Sequence, residues 1–156
     1  MDKLWAPWRI KYLKTTLKKG CVFCRSLKSR NQDTLLLKTR YSFCLLNTFP
    51  YNNGHLLVLP RRHTADIADL KDEEALDLFR TLSKARKILD KVLRPEGYNL
   101  GINISKSAGA GITGHLHIHL VPRWHGDTNF MPVVFNTKVI SQSLRGLKKK
   151  FKKYAQ

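Results

Sequence analysis

Three short apolar runs, Leu35–Lys38, Tyr41–Asn47 and His55–Pro60, are bounded by turn residues and predict β-strands, with Tyr51-Asn-Asn-Gly54 forming the turn before the third. From Asp72 to Leu93 the period changes. Leu76, Phe79, Leu82 (or Ser83), Ala85, Ile88, Leu89 and Val92 recur three or four residues apart and predict one long amphipathic helix, stopped by Pro95 and Gly97. Tyr98–Ile104 predicts a strand, and Ser105–Gly114 a small-residue loop with glycines at 109, 111 and 114. His115–Arg123 then alternates: Leu116, Ile118 and Leu120 fall between and after three histidines. A strand repeats every two residues, so His115, His117 and His119 share one face and the apolar residues turn the other way, toward a core. Val133–Ile140 is a candidate strand. From Ser141 onward Leu144, Leu147, Phe151 and Tyr154 have helical spacing and predict a basic amphipathic helix over 141–156. Antiparallel strands with one long helix and a C-terminal amphipathic helix make an α+β domain. No internal repeat or boundary interrupts 1–156, and residues 1–20 read as an ordered arm rich in aromatic and basic residues.

Composition narrows the setting. A chain of 156 residues suits one domain with a real core. No apolar run reaches membrane-spanning length, and the N-terminus lacks the apolar stretch and small-residue cleavage site of a secretory signal, so the expected location is cytoplasmic, with no membrane partner. Three cysteines are a poor basis for a disulfide framework. Lys and Arg number 29 against 11 Asp and Glu, a net charge of +18, which implies polyanionic partners. Much of that charge sits in the first 19 residues and in Arg145–Lys153.

Three imidazoles in five residues point to chemistry, because imidazole is both a common metal ligand and the group best placed for proton or nucleophile chemistry near neutral pH. The competing reading is an exposed polar face. A neutral imidazole can attack phosphorus and split one displacement into two through a covalent nucleotidyl-histidine. Its other nitrogen must then be held by a partner that fixes the tautomer. The loop Ala108–Gly114 could offer backbone N–H groups to phosphate oxygens, although turns use such residues routinely. Cys21-Val-Phe-Cys24 has the spacing of two thiolates gripping one zinc. A redox pair and two simply packed cysteines are the alternatives. Cys44, in an apolar strand, reads as a small buried hydrophobe.

The stretch His115-Leu-His-Ile-His-Leu-Val121 matches the full pattern of the histidine-triad family. With Leu4-Trp-Ala-Pro-Trp-Arg9, Asn47 through Tyr51-Asn-Asn-Gly-His55, and Val121 through Val133, the chain resembles the bacterial branch related to dinucleoside polyphosphate phosphorylases and hydrolases. The resemblance spans nearly the whole chain. It implies an antiparallel sheet with one long helix, assembled as a homodimer. His117 would be the nucleophile, His119 a donor to phosphate oxygens, and His55 the group that orients the nucleophile from the neighbouring strand. Asn47 would hold the ribose hydroxyls and Asn103 the phosphate or leaving group, beside Gly109 and Gly111 of the loop read above as a source of backbone N–H groups for phosphate. The third triad position is His119, where the transferase branches carry Gln, which favours hydrolase or phosphorylase. The family pattern also places a structural zinc on Cys21, Cys24, His63 and His115, with magnesium entering only on the substrate.

The expected activity is therefore cleavage of a dinucleoside polyphosphate at an α-phosphate. Two alternatives stay open: hydrolysis of nucleoside phosphoramidates by the same residues, and a nucleic-acid-binding module in which the basic arms do the work. The basic C-terminal helix could also steer polyphosphates, or present nothing but a solvated face.

Overall fold

The structure is a computed structural model that describes residues 20–29, 34–128 and 139–155. The aromatic and basic arm up to residue 19 and most of the candidate strand Val133–Ile140 lie outside the described residues; Val139 and Ile140 carry no strand. In chain order the elements are α1 (Val22–Lys28), β1 (Leu35–Lys38), β2 (Ser42–Leu46), β3 (Leu56–Pro60), α2 (Asp72–Leu93), β4 (Gly97–Ile102), β5 (Ile118–Arg123) and α3 (Leu144–Lys152). The five strands form one antiparallel sheet in the order β1-β2-β3-β5-β4. The α+β architecture is as expected from the pattern.

Both faces of the central strands are covered, and this explains why β2 and β3 are apolar at nearly every position rather than alternating. On one face Cys44, Leu46, Leu56, Val58, Ile118 and Leu120 pack against Leu78, Leu82, Ala85, Ile88 and Leu89 of α2, with Leu147 and Phe151 of α3 closing the same core. On the other, Phe43, Leu45, Leu57 and Leu59 pack against Phe23 of α1. The basic C-terminal helix is thus a piece of the core with a charged outer side. Cys44 is fully buried among apolar neighbours, as expected.

The long helix has the predicted limits but a different inner face. Leu76 and Phe79 are 52% and 64% exposed, while Leu78, Thr81 and Leu82 are buried. Two polar side chains on the inner side masked the register. Asp77 accepts from the Thr39 hydroxyl at 2.6 Å and from the Tyr41 N–H at 3.1 Å, and Thr81 meets Thr39 at 3.3 Å. The turn between β1 and β2 satisfies them, so polar residues sit where the pattern asked for apolar ones. The helix stops at Leu93 because Arg94 adopts the left-handed conformation (φ 49°) ahead of Pro95, rather than at Gly97.

The histidine segment differs at its start. Regular pairing begins at Ile118, which faces Val58 on β3 and Ile102 on β4, so His115 and His117 precede the strand proper. Their alternation survives because the incoming chain is still extended and is tied down by Leu116 N–H donating to the Thr64 carbonyl at 2.6 Å.

Candidate active site and metal centre

The turn Tyr51–Gly54 delivers His55 to the rim of the sheet. Gly54 has φ +77°, and a Cβ there would overlap Leu93 of α2, so only glycine lets the turn sit on the helix. Asn52 pins the turn from the far side, donating to the Pro122 carbonyl at 3.0 Å and to Asp127 at 2.7 Å. Asp127 is held in turn by Arg123 at 2.7 Å, and that guanidinium keeps its carboxyl well below the usual carboxylate range.

Hydrogen bonds around the histidines assign their tautomers. Nδ1 of His55 receives the Tyr51 N–H at 3.0 Å and the Asn47 Nδ2 at 3.2 Å, so it is an acceptor. The proton of His55 is therefore on Nε2, which donates to His119 Nδ1 at 2.9 Å. His119 must then carry its own proton on Nε2. That atom is buried and has no hydrogen-bond partner, an N–H aimed into the cleft with nothing to receive it. His117 is arranged in the opposite sense. Its Nδ1 donates to the His115 carbonyl at 2.8 Å, which leaves the lone pair on Nε2. The rings of His117 and His119 lie 5.0 Å apart, so a bare nitrogen and an unsatisfied N–H stand side by side. Contrary to expectation, His55 is seated against His119 and not against His117, which is oriented by its own strand's carbonyl.

Burial holds all three rings neutral. His55 is pushed down to about 3, by burial first and then by His119 and His117. His119 is pushed down to about 4 by burial and by His117. Burial also lowers His117, opposed by its bond to the His115 carbonyl. A neutral imidazole is the form a nucleophile needs.

His117 and His119 open into a cleft of about 980 Å³, within the usual range for small-molecule sites, with His55 buried behind them. Asn47, Gly109, Gly111, His117 and His119 line it, as expected. Asn47 spends its side chain on the turn, however: its Oδ1 accepts from Phe49 N–H at 2.9 Å while its amide reaches His55. Asn103 does not line the cleft; its amide backs the glycine loop, 3.4 Å from where a Gly109 Cβ would stand. The loop enters through Ser105 at φ 64° and turns at Gly109 at φ +87°. Several lining residues escaped the sequence reading, three of them notable. Tyr51 stacks on His119 with ring centroids 5.2 Å apart, Phe23 contacts His117 at 5.2 Å, and Arg25 is the single Lys or Arg among the described lining residues. The signal for Phe23 and Arg25 was weak, because α1 is seven residues long with no acidic residue in its first turn and no side-chain cap.

At the other end of the histidine segment, Cys21, Cys24, His63 and His115 converge, and their ligand atoms all lie within 4.8 Å of one another. Sγ of Cys21 is 3.3 Å from His115 Nδ1, Sγ of Cys24 is 3.5 Å from Nδ1 of both His63 and His115, and the two Nδ1 atoms are 3.3 Å apart. Four donors bonded to one tetrahedral zinc stand about 3.4–3.8 Å apart, so these separations are those of ligands around an ion. His115 Nε2 donates to the Pro60 carbonyl at 2.9 Å, which turns Nδ1 and its lone pair toward the cysteines. All four expected ligands are brought together. No cysteine among the described residues is in a disulfide.

Comparison with known proteins agrees with this geometry. The HIT domain family matches residues 28–126, and the chain belongs to that family. It is 35% identical over 155 residues to an AP-4-A phosphorylase of Mycobacterium tuberculosis, covering 93% of this chain and 80% of that one. It is 33% identical over 111 residues to an adenosine 5'-monophosphoramidase of Saccharomyces cerevisiae, covering 69% and 65%. The fold is shared with a zinc-bound histidine triad family protein from Mycobacterium smegmatis, with a TM-score of 0.70, 22% identity and coverage of 87% and 93%.

Proposed function

We propose that this HIT-domain protein cleaves dinucleoside polyphosphates, such as diadenosine tetraphosphate, at an α-phosphate through a covalent intermediate on His117. The observation that carries the reading is the opposed pair of tautomers. The lone pair of His117 Nε2 can attack phosphorus while the unpartnered N–H of His119 donates to a non-bridging oxygen. In the first step the His117 Nε2–P bond forms, the bond from Pα to its bridging oxygen breaks, and the nucleoside triphosphate departs. The Nδ1–H of the adduct stays bonded to the His115 carbonyl, which steadies the positive charge the ring acquires. In the second step an acceptor oxygen displaces the imidazole and restores it as a neutral ring. His117 and His119 act on the reacting phosphate, and His55 acts through His119 from behind it. Asn47 supports the ribose side, and Gly111 offers a backbone donor next to Gly109, whose own N–H is given to the Lys106 carbonyl at 2.9 Å. Asn103 acts through the loop.

Similarity to an AP-4-A phosphorylase over nearly the whole chain favours inorganic phosphate as the acceptor. Product analysis of diadenosine tetraphosphate turnover tests this. Phosphate-dependent ADP and ATP mark phosphorolysis, whereas AMP and ATP without phosphate mark hydrolysis. No turnover under either condition would remove the substrate assignment. Similarity to a phosphoramidase supports a second reading, cleavage of a P–N bond by the same residues, which the same assay on adenosine phosphoramidate decides.

Cys21, Cys24, His63 and His115 would hold a structural zinc, closed by four protein ligands and tying α1 to the sheet. With Arg25 the single formal cation among the described lining residues, magnesium carried in on the substrate would offset the polyphosphate charge. A cytoplasmic setting suits cysteines kept reduced rather than in disulfides; none of the described helices is long and apolar enough to cross a membrane. The whole of 1–156 would act as one domain. The open edge of β4, with Leu100 and Ile104 exposed beside it, supports a homodimer. Sedimentation of Leu100→Lys as a monomer against a dimeric parent would support that; a monomeric parent would end it.

A further inference from the structure

A second cleft, of about 830 Å³, lies at the C-terminal end of α1 and shares no lining residue with the histidine cleft. Among the described residues five cationic side chains line it (Lys28, Lys38, Arg40, Arg61 and Arg62), against one carboxylate, Glu74. That carboxylate is already spent. It takes a two-pronged contact from Arg62 at 2.8 and 2.7 Å and accepts the Lys71 N–H at the start of α2. Arg61 is fixed too, donating to the Thr39 and Arg40 carbonyls at 3.3 and 3.0 Å. Lys28, Lys38 and Arg40 are exposed, come from the end of α1 and from the end of β1 with its following turn, and have no carboxylate partner among the described residues. Arg40 lies over the Tyr41 ring at 5.1 Å.

We propose that this cleft binds single-stranded nucleic acid, with Lys28, Lys38 and Arg40 on successive phosphates and the Tyr41–Leu27 wall against a base. Several separated, unpaired cations suit a backbone that carries one charge per nucleotide. A bare phosphate chain would use the cations and leave Tyr41 and Leu27 idle, whereas a stacked or packed base uses both. Among the described residues the lining is dominated by cations beside one aromatic ring, so the proposed recognition is by charge and stacking and is indifferent to sequence. The site is distinct from the histidine cleft, since the two have no lining residue in common.

The test measures anisotropy of a labelled oligouridine with the full chain, across a salt series. Two charge-reversed variants of equal net charge are compared, Lys28→Glu/Lys38→Glu/Arg40→Glu in the cleft and Lys149→Glu/Lys150→Glu/Lys152→Glu on α3. The cleft variant should weaken binding at least about tenfold and lower the salt slope by about two, from three phosphate contacts, while dinucleotide turnover is kept. The α3 variant should lose several-fold less. Tyr41→Ala should weaken oligouridine binding without changing affinity for inorganic polyphosphate. Equal losses in the two triple variants would overturn the proposal, as would an unaffected cleft variant, or a parent that binds polyphosphate and not oligouridine. If the triple reversal does not fold, Lys28→Ala/Arg40→Ala is read in the same way.

Discussion

His115 and His117 are two residues apart, on one face, and almost equally buried, at 1% and 6% exposure, yet they belong to sites with opposite requirements. At the metal corner Nε2 of His115 is committed to the Pro60 carbonyl, so Nδ1 faces two cysteines and His63. At the catalytic end Nδ1 of His117 is committed to the His115 carbonyl, so Nε2 faces the cleft. Each ring's task is set by which nitrogen a carbonyl has already taken. The two sites are also joined, since His115 offers its side chain to the metal corner and its carbonyl to the nucleophile.

The sharpest way to break the comparison is His117→Ala. Loss of the nucleophile should cost about 10⁴-fold or more in turnover while metal content and thermal stability stay near the parent. Full turnover in that variant would refute the covalent mechanism. Cys24→Ser should do the reverse: metal analysis should fall below about half an equivalent of zinc and the Tm should drop by about 10 °C, with a smaller loss of turnover than His117→Ala. Unchanged metal content and Tm would remove the zinc site. His55→Ala sharpens the catalytic side. Without the donor at His119 Nδ1, the proton on that ring is free to move from Nε2, and kcat should fall about 10²-fold with KM little changed. A change in KM alone would instead make His55 a binding residue.

The smallest expected effect is on pH. Buried His55 and His119 titrate near 3 and 4, below the ordinary value of about 6.5 for an unfolded histidine. Between those values the unfolded chain binds protons that the folded chain does not. Stability should therefore be level above about pH 6.5 and decline as the pH falls toward 4. Denaturant titration across that range reads it, and His55→Ala should flatten the slope. An unchanged slope would mean that other groups set the acid limit.

Much of the catalytic end was legible because it lies close together in the chain. His115, His117 and His119 come from one extended segment, and His55 follows a turn whose glycine announces itself. The metal corner was half legible. Cys21 and Cys24 show ligand spacing, while His63 and His115 joined them only through family resemblance. The partner of His55 was misread, because the choice between His117 and His119 depends on the register of β3 against β5. The inner face of α2 was misread at Leu76 and Phe79, because Asp77 and Thr81 are satisfied by a turn more than thirty residues away in sequence.

Local pattern alone therefore determined the strands, the long helix with both its ends, the one-sided row of imidazoles and the paired thiols. All follow from the period of the backbone and the conformational limits of Gly and Pro, which act within a few residues. Tertiary structure decided which nitrogen of each histidine is free, that Cys21 and Cys24 meet His63 and His115, and that cations from α1, β1 and the β1–β2 turn gather around one cleft with their nearest carboxylate already paired. Each of those outcomes depends on hydrogen-bond partners or charges from distant segments, and no local period encodes where a folded sheet will bring them.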